Sequence, residues 1–103
     1  MKLWIMDLKS DTLVPCHSLA EHKRWHSTHR RDHKEFVGAT FIYTLFLGCG
    51  DLPFVVKVIG PRGTKEERFP TWKEAIQYHA LIAARLITQQ RINKQRGSRG
   101  RVT

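Results

Sequence analysis

The sequence predicts an α+β fold, in which an antiparallel sheet of about four strands packs against two helices in the order ββαββα. Three observations predict it: short β-branched and aromatic runs, hairpin-length turns between them, and two segments with helical signals. The chain has 103 residues, of which 41% are hydrophobic, and this suits one domain with a modest core. We expect that domain at residues 1–95 and a basic, flexible C-terminal tail at residues 96–103.

The N-terminal third of the chain contains two strand signals and one helix signal. Residues 3–8 and 13–14 predict two short strands around a turn, and Pro15 ends the second because it lacks the amide hydrogen of a sheet ladder. Ser18 is a suitable N-cap with Glu21 three residues later. The first helix is therefore expected to run from there to about residue 35.

The rest of the chain predicts two more strands and a long helix. Residues 36–47 predict the longest strand and residues 54–59 the next one, because both are rich in β-branched and aromatic residues. Residues 67–69 indicate only a brief extended piece. Thr71 and Glu74 form a capping box that starts the second helix, and we expect this helix to fray after about residue 95.

The positive charge of the chain is concentrated near its C-terminus. The formal net charge is +9, and residues 85–103 contain six bases and no acid. Such a segment favours a polyanionic partner, since arginine pairs with phosphate bidentately. A solubilising tail and docking on an acidic protein face are the alternatives. The predicted contact residues are Arg85, Arg91, Lys94, Arg96, Arg99 and Arg101 in this segment, and Lys23, Arg24, Arg30 and Arg31 in the first helix.

Four histidines follow one another at helical spacing in the first predicted helix. His22, His26, His29 and His33 would form a single stripe on a continuous helix, and an i, i+4 pair of imidazoles can bind one metal ion. These four residues are therefore candidate zinc ligands, although the sequence lacks a C-x-x-C or H-E-x-x-H motif and no cofactor is expected. The alternatives are a solvated helix face that happens to use histidine, and a pH-sensitive binding surface.

Aromatic residues alternate along the longest predicted strand. Phe41 and Tyr43 alternate with Ile42 and Thr44, so one face of the strand is aromatic. Aromatic side chains on an exposed sheet can stack on bases, whereas a helix more often covers such a face.

Several function classes are excluded or disfavoured. No apolar run approaches the ~18 residues of a membrane span, and Asp7 comes too early for a signal peptide. The two cysteines, Cys16 and Cys49, are too few for a disulfide scaffold, so we expect a cytoplasmic protein with reduced thiols. No nucleophile–base or carboxylate pair has a catalytic pattern, which predicts a non-enzymatic protein. The oligomeric state stays open.

Six short motifs occur in a characteristic order. They are Trp4-Ile5-Met6-Asp7, Val14-Pro15, Arg24-Trp25, Thr44-Leu45-Phe46-Leu47-Gly48, Leu52-Pro53-Phe54, and Phe69-Pro70-Thr71-Trp72-Lys73-Glu74-Ala75 with His79. Over residues 3–85 the chain thereby resembles a family of small phage and prophage proteins. The resemblance implies a phage origin and a compact α+β domain, but no known activity and no catalytic residues. The histidine-rich first helix and the basic tail depart from the family pattern.

These observations together predict a small phage-type accessory protein that binds nucleic acid or a host nucleoprotein complex, for example to antagonise host defence. A phage-encoded protein of this kind would act in the host cytoplasm without contacting a membrane. One alternative is a virion-associated structural or assembly protein. The other is a metal-binding protein that uses the histidines of the first helix.

Overall fold

Over residues 2–102, six strands and two helices follow one another in the order ββαββββα. The computed structural model describes the backbone of these residues and the side chains of residues 2–94. The α+β class is confirmed, but the strands form two antiparallel sheets, of two and four strands, rather than one sheet of four. The elements are β1 (Leu3–Asp7), β2 (Thr12–Cys16), α1 (Leu19–Thr28), β3 (Asp32–Val37), β4 (Thr40–Phe46), β5 (Phe54–Gly60), β6 (Gly63–Phe69) and α2 (Trp72–Val102).

The first helix is shorter than the sequence predicts. It begins after the Ser18 cap, whose hydroxyl accepts a hydrogen bond from the Glu21 amide at 3.1 Å, but it ends at Thr28 rather than near residue 35. Residues 29–35 contain no apolar side chain, so a longer helix would have no apolar stripe to bury. The strand Asp32–Val37 instead gains a complete ladder of backbone hydrogen bonds with β4.

The predicted long strand at residues 36–47 is in fact parts of two strands joined by a tight turn. Val37 pairs with Thr40, and Phe36 pairs with Phe41. Gly38 between them has a φ of +60°, the left-handed conformation that two-residue hairpin turns require and glycine adopts readily. The extra hairpin gives the sheet its strand order β3-β4-β5-β6, and the brief extended piece at residues 67–69 becomes the end of a full edge strand, β6.

The second helix starts as predicted, and its N-terminal half covers one face of the four-stranded sheet. The Thr71 hydroxyl accepts a hydrogen bond from the Glu74 amide at 3.2 Å. Ala75 and Ala83 are buried on the face of α2 toward the sheet, where small side chains allow close approach. The side chains of the predicted tail at residues 96–103 lie outside the described ones, so the tail stays a prediction.

The core lies between α2, α1 and one face of the large sheet. Ile42, Phe46 and Phe54 supply its sheet side, and all three are buried. Trp25 of α1 packs edge-on against Phe46, with ring centroids 5.4 Å apart, and its indole N–H donates to the Met6 carbonyl at 3.1 Å. α2 therefore packs along one side of the large sheet, and α1 contacts the end of that sheet through Trp25.

Candidate functional site

The sheet face opposite α2 carries a row of apolar side chains. Phe36, Phe41 and Ile59 are neighbours across β3, β4 and β5, and no helix in the described part of the chain packs over them. Phe36 is 74% exposed and Ile59 is 40% exposed. The rings of Phe36 and Phe41 are 4.7 Å apart at 29°. We call this side of the sheet the open face.

The next row of the open face combines an aromatic ring with two lysines. Tyr43 lies between Lys34 of β3 and Lys57 of β5 in the strand register. Its ring is 5.8 Å from that of Phe41 at an angle of 25°, and the Lys34 ammonium lies 5.2 Å from the Tyr43 ring centroid. The rings of Phe36, Phe41 and Tyr43 thus form a series of stacked neighbours, with a lysine on each side of Tyr43.

The Tyr43 ring is held in place at its hydroxyl end. The hydroxyl donates to the Asp32 carboxylate at 3.3 Å. Burial raises the pKa of Tyr43 above its usual value of 10.0, and the Asp32 charge raises it further, so the phenol stays neutral at physiological pH. Tyr43 also lines a cavity of about 190 Å³ together with Arg30. The open face therefore ends next to one of the predicted phosphate-binding residues.

The predicted basic residues do not form one surface. Lys23 and Arg24 are exposed on α1, and Arg91 and Lys94 are exposed on α2. Arg31 is half-buried, since its guanidinium donates to Asp11 at 3.0 Å and lies 4.4 Å from the Trp72 ring centroid. Arg31 thus joins the β1–β2 hairpin to the rest of the fold. The side chains of Arg96, Arg99 and Arg101 lie outside the described ones.

Arg85 lines a groove that the sequence did not reveal. This groove, of about 640 Å³, lies between the β5–β6 turn and α2. Arg62 and Lys65 lie on its strand side, and Tyr78 and Ile82 on its helix side. The groove combines cationic and apolar side chains, but its lining does not include the aromatic residues of the open face.

The prediction that four histidines form a single helical stripe is wrong, because α1 ends before the third of them. His22 and His26 lie on α1 with ring centroids 4.4 Å apart. His29 is the C-cap residue and stacks on Trp25 at 5.2 Å. His33 lies on β3, where its ring is 4.7 Å from that of His79.

The structure brings together a different set of possible metal ligands. His33, Glu35 and His79 have ligand atoms that all lie within 4.8 Å of one another, the one such group of three found among the described residues. Glu35 and His79 were missed as ligands because they are 44 residues apart in sequence, and no local spacing joins them. Phe36, Lys34 and Lys57 of the open face were also missed, since the predicted helix and the single long strand hid their alternation.

His26 is placed where its protonated form is disfavoured. Its Nε2 atom is buried and has no hydrogen-bond partner among the described residues, and its ring stacks on Phe46 at 5.4 Å. Burial lowers the pKa of His26 below the usual 6.5, and repulsion from His22 lowers it further.

The fold should consequently lose stability as the pH falls below about 6.5. The unfolded chain takes up a proton on His26 at a higher pH than the folded chain does, so the stability contributed by the neutral ring is fully present above about 6.5 and is lost as the pH drops toward the folded pKa. Thermal melts at several pH values between about 5 and 8 should show a smaller pH dependence for His26→Gln than for the wild type. His17→Gln, at an exposed position, is the control and should keep the wild-type dependence.

Comparisons of the chain with protein-family models, curated proteins and solved structures found no match. The resemblance to phage and prophage proteins therefore stays a prediction. Among the helices of residues 2–102, none is long and apolar enough to cross a membrane.

Proposed function

We propose that this protein binds single-stranded nucleic acid on the open face of its four-stranded sheet. Bases would stack on Phe36, Phe41 and Tyr43, and the phosphates would lie near Lys34 and Lys57. The observation that carries the proposal is the series of three stacked rings on the sheet face opposite α2, where Phe36 is largely exposed to water.

Stacking explains why such rings would be kept on the surface. Every base has a π-face, and stacking on an aromatic side chain contributes about 1–3 kcal/mol per base without requiring a particular sequence. Side chains two residues apart on a strand point to the same face, so Phe41 and Tyr43 offer successive platforms 5.8 Å apart. An exposed phenylalanine ring gains no comparable interaction with water. A row of such rings on the surface is therefore a candidate interaction surface.

The charge of the chain supports a polyanionic ligand over an apolar one. Lys34 and Lys57 flank Tyr43 in the register, Arg30 lines a cavity together with Tyr43, and the formal net charge is +9. A basic arm at residues 85–103, as the sequence predicts, would add phosphate contacts beyond the sheet. Because the chain carries no base-reading motif, we expect little sequence preference.

Single strands suit this face better than duplexes do. In a duplex the faces of the bases are already stacked on one another and cannot reach the rings, whereas unstacked bases of a single strand can. The form of this function that the phage resemblance favours is an accessory protein that occupies single strands in a host nucleoprotein complex. Capture of such a complex from infected host lysate by the wild type, and not by a variant without the aromatic row, would support that form.

The direct test is a binding measurement on labelled oligonucleotides by fluorescence anisotropy. A single strand of about 12 nucleotides should bind more tightly than a duplex of the same length, because only the single strand can stack. Contacts from Lys34, Lys57 and Arg30 alone predict a slope of log K against log salt of about −2 for the single strand, and contacts from the basic arm would make the slope steeper. Equal or tighter binding of the duplex would contradict the proposal.

A further inference from the structure

We propose that His33, Glu35 and His79 form a binding site for a divalent transition-metal ion of the zinc class. The site lies on the helix-covered side of the sheet, opposite the face proposed to bind nucleic acid, so the two proposals are independent. Imidazole nitrogen and carboxylate oxygen are common zinc ligands, and two histidines with one glutamate are a known ligand set.

The three ligands come from two elements that the tertiary structure brings together. His33 and Glu35 are two residues apart on β3, so both side chains point to the same side of the sheet. They pair in the register with Thr44 and Ile42, whose side chains are buried toward α2. His79 of α2 lies against the same side and is only 2% exposed.

The distances suit a tetrahedral ion after small side-chain movements. Zinc bonds of about 2.0–2.2 Å place neighbouring ligand atoms about 3.3 Å apart. The His79 Nε2 and Glu35 Oε1 atoms are already 2.9 Å apart, and all three ligand atoms lie within 4.8 Å. His33 is exposed at the edge of the sheet, so its ring can move by the remaining distance and leave a fourth position open to water.

The contact between His79 and Glu35 requires either a hydrogen-bond donor or a shared cation. A carboxylate oxygen only accepts hydrogen bonds, so the 2.9 Å contact needs either a proton on the His79 Nε2 atom, which a neutral imidazole can carry, or a metal ion bound to both atoms. The other ring nitrogen of His79 is 2.7 Å from the Thr44 hydroxyl, and this oxygen is buried. With a metal on Nε2, the Nδ1–H would donate to Thr44, which is the outer hydrogen bond that orients most metal-binding histidines.

A metal ion here would also join an edge strand to the long helix. Among the elements of residues 2–102, β3 pairs only with β4, and its other contact is with α2. An ion bound by His33, Glu35 and His79 would tie β3 to α2 and should raise the melting temperature, because a ligand that binds only the folded state stabilises it.

The test is titration of the chelator-treated full chain with Zn²⁺, followed by calorimetry and by thermal melting. We expect one saturable Zn²⁺ per chain and a higher melting temperature with Zn²⁺ than with chelator. His33→Ala and Glu35→Gln should weaken Zn²⁺ binding at least about tenfold, and Thr44→Val should weaken it about 10–100-fold through loss of the orienting hydrogen bond. His33→Ala is the main test variant. Because His33 is exposed, its replacement should leave the fold intact, and lost Zn²⁺ binding would then not result from unfolding.

His22→Gln is the matched control, since it alters the histidine pair on α1 and leaves the proposed ligands intact. It should bind Zn²⁺ as the wild type does. The proposal is overturned if the wild type shows no saturable binding, if folded His33→Ala and Glu35→Gln bind as tightly as the wild type, or if His22→Gln alone abolishes binding. None of these outcomes affects oligonucleotide binding on the open face, which is measured separately.

Discussion

Replacing Phe36 by alanine should weaken the binding of single-stranded oligonucleotides by about 5- to 150-fold, which corresponds to about 1–3 kcal/mol for one lost stacking platform. Phe36 is the most exposed ring of the open face and stacks on Phe41 at 4.7 Å, so its loss removes one end of the aromatic row. The fold should be little affected, because substitutions at exposed positions usually change stability by less than about 0.5 kcal/mol. Anisotropy titrations at fixed salt measure the change.

Leu81→Ala is the matched control for this variant. Leu81 is an exposed apolar residue, 46% accessible, on α2, which packs on the other side of the sheet. Its truncation should leave the affinity unchanged. Unchanged affinity of the Phe36→Ala protein, or an equal loss in both variants, would show that bases do not stack on the open face.

Replacing Gly48 by alanine should destabilise the fold by about 2–4 kcal/mol, the sum of backbone strain and a steric clash. Gly48 has a φ of +73°, and a Cβ atom there would lie 2.5 Å from the backbone oxygen of Trp4 and within 3 Å of the His22 and His26 side chains. The same residue joins the two sheets, since its carbonyl accepts from the Trp4 amide at 2.8 Å and from His22 Nε2 at 2.9 Å. Urea denaturation measures the loss.

Gly50→Ala separates the two contributions. Gly50 also has a positive φ, +79°, but a Cβ atom there would meet no other atom within 4 Å. This control should lose only the strain contribution, about 1 kcal/mol. Equal destabilisation of the two variants would show that the clash at Gly48 is relieved by movement of the β1–β2 hairpin.

Local signals predict where the helices begin better than they predict which strands pair. The Ser18 and Thr71 caps are both confirmed, because a cap depends on residues three positions away. The strand character of residues 54–59 is confirmed for the same reason, since it depends on β-branched composition. The length of α1 and the division of residues 36–47 into two strands depend instead on the pairing of β3 with β4.

The candidate sites show the same difference between local and distant information. The alternation of Phe41 and Tyr43 is visible in the sequence, but their partial exposure depends on α2 packing on the opposite side of the sheet. The histidine spacing suggested one helical stripe, whereas the end of α1 at Thr28 divides the four residues between a helix, a cap and a strand. Periodicity predicts a shared face only while the helix continues.

The sequence by itself determined the α+β class, the uneven positive charge, the helix caps and the turn between β1 and β2, because each follows from composition or from neighbours a few residues apart. Only the tertiary structure decided that the strands form two sheets, that one sheet face stays open, and that His33 and Glu35 meet His79 across 44 residues of chain. The physical reason is that strand pairing and helix packing join distant segments. Their stabilising free energy comes from hydrogen bonds between paired strands and from apolar surface buried between distant segments. No short stretch of sequence contains either of these interactions.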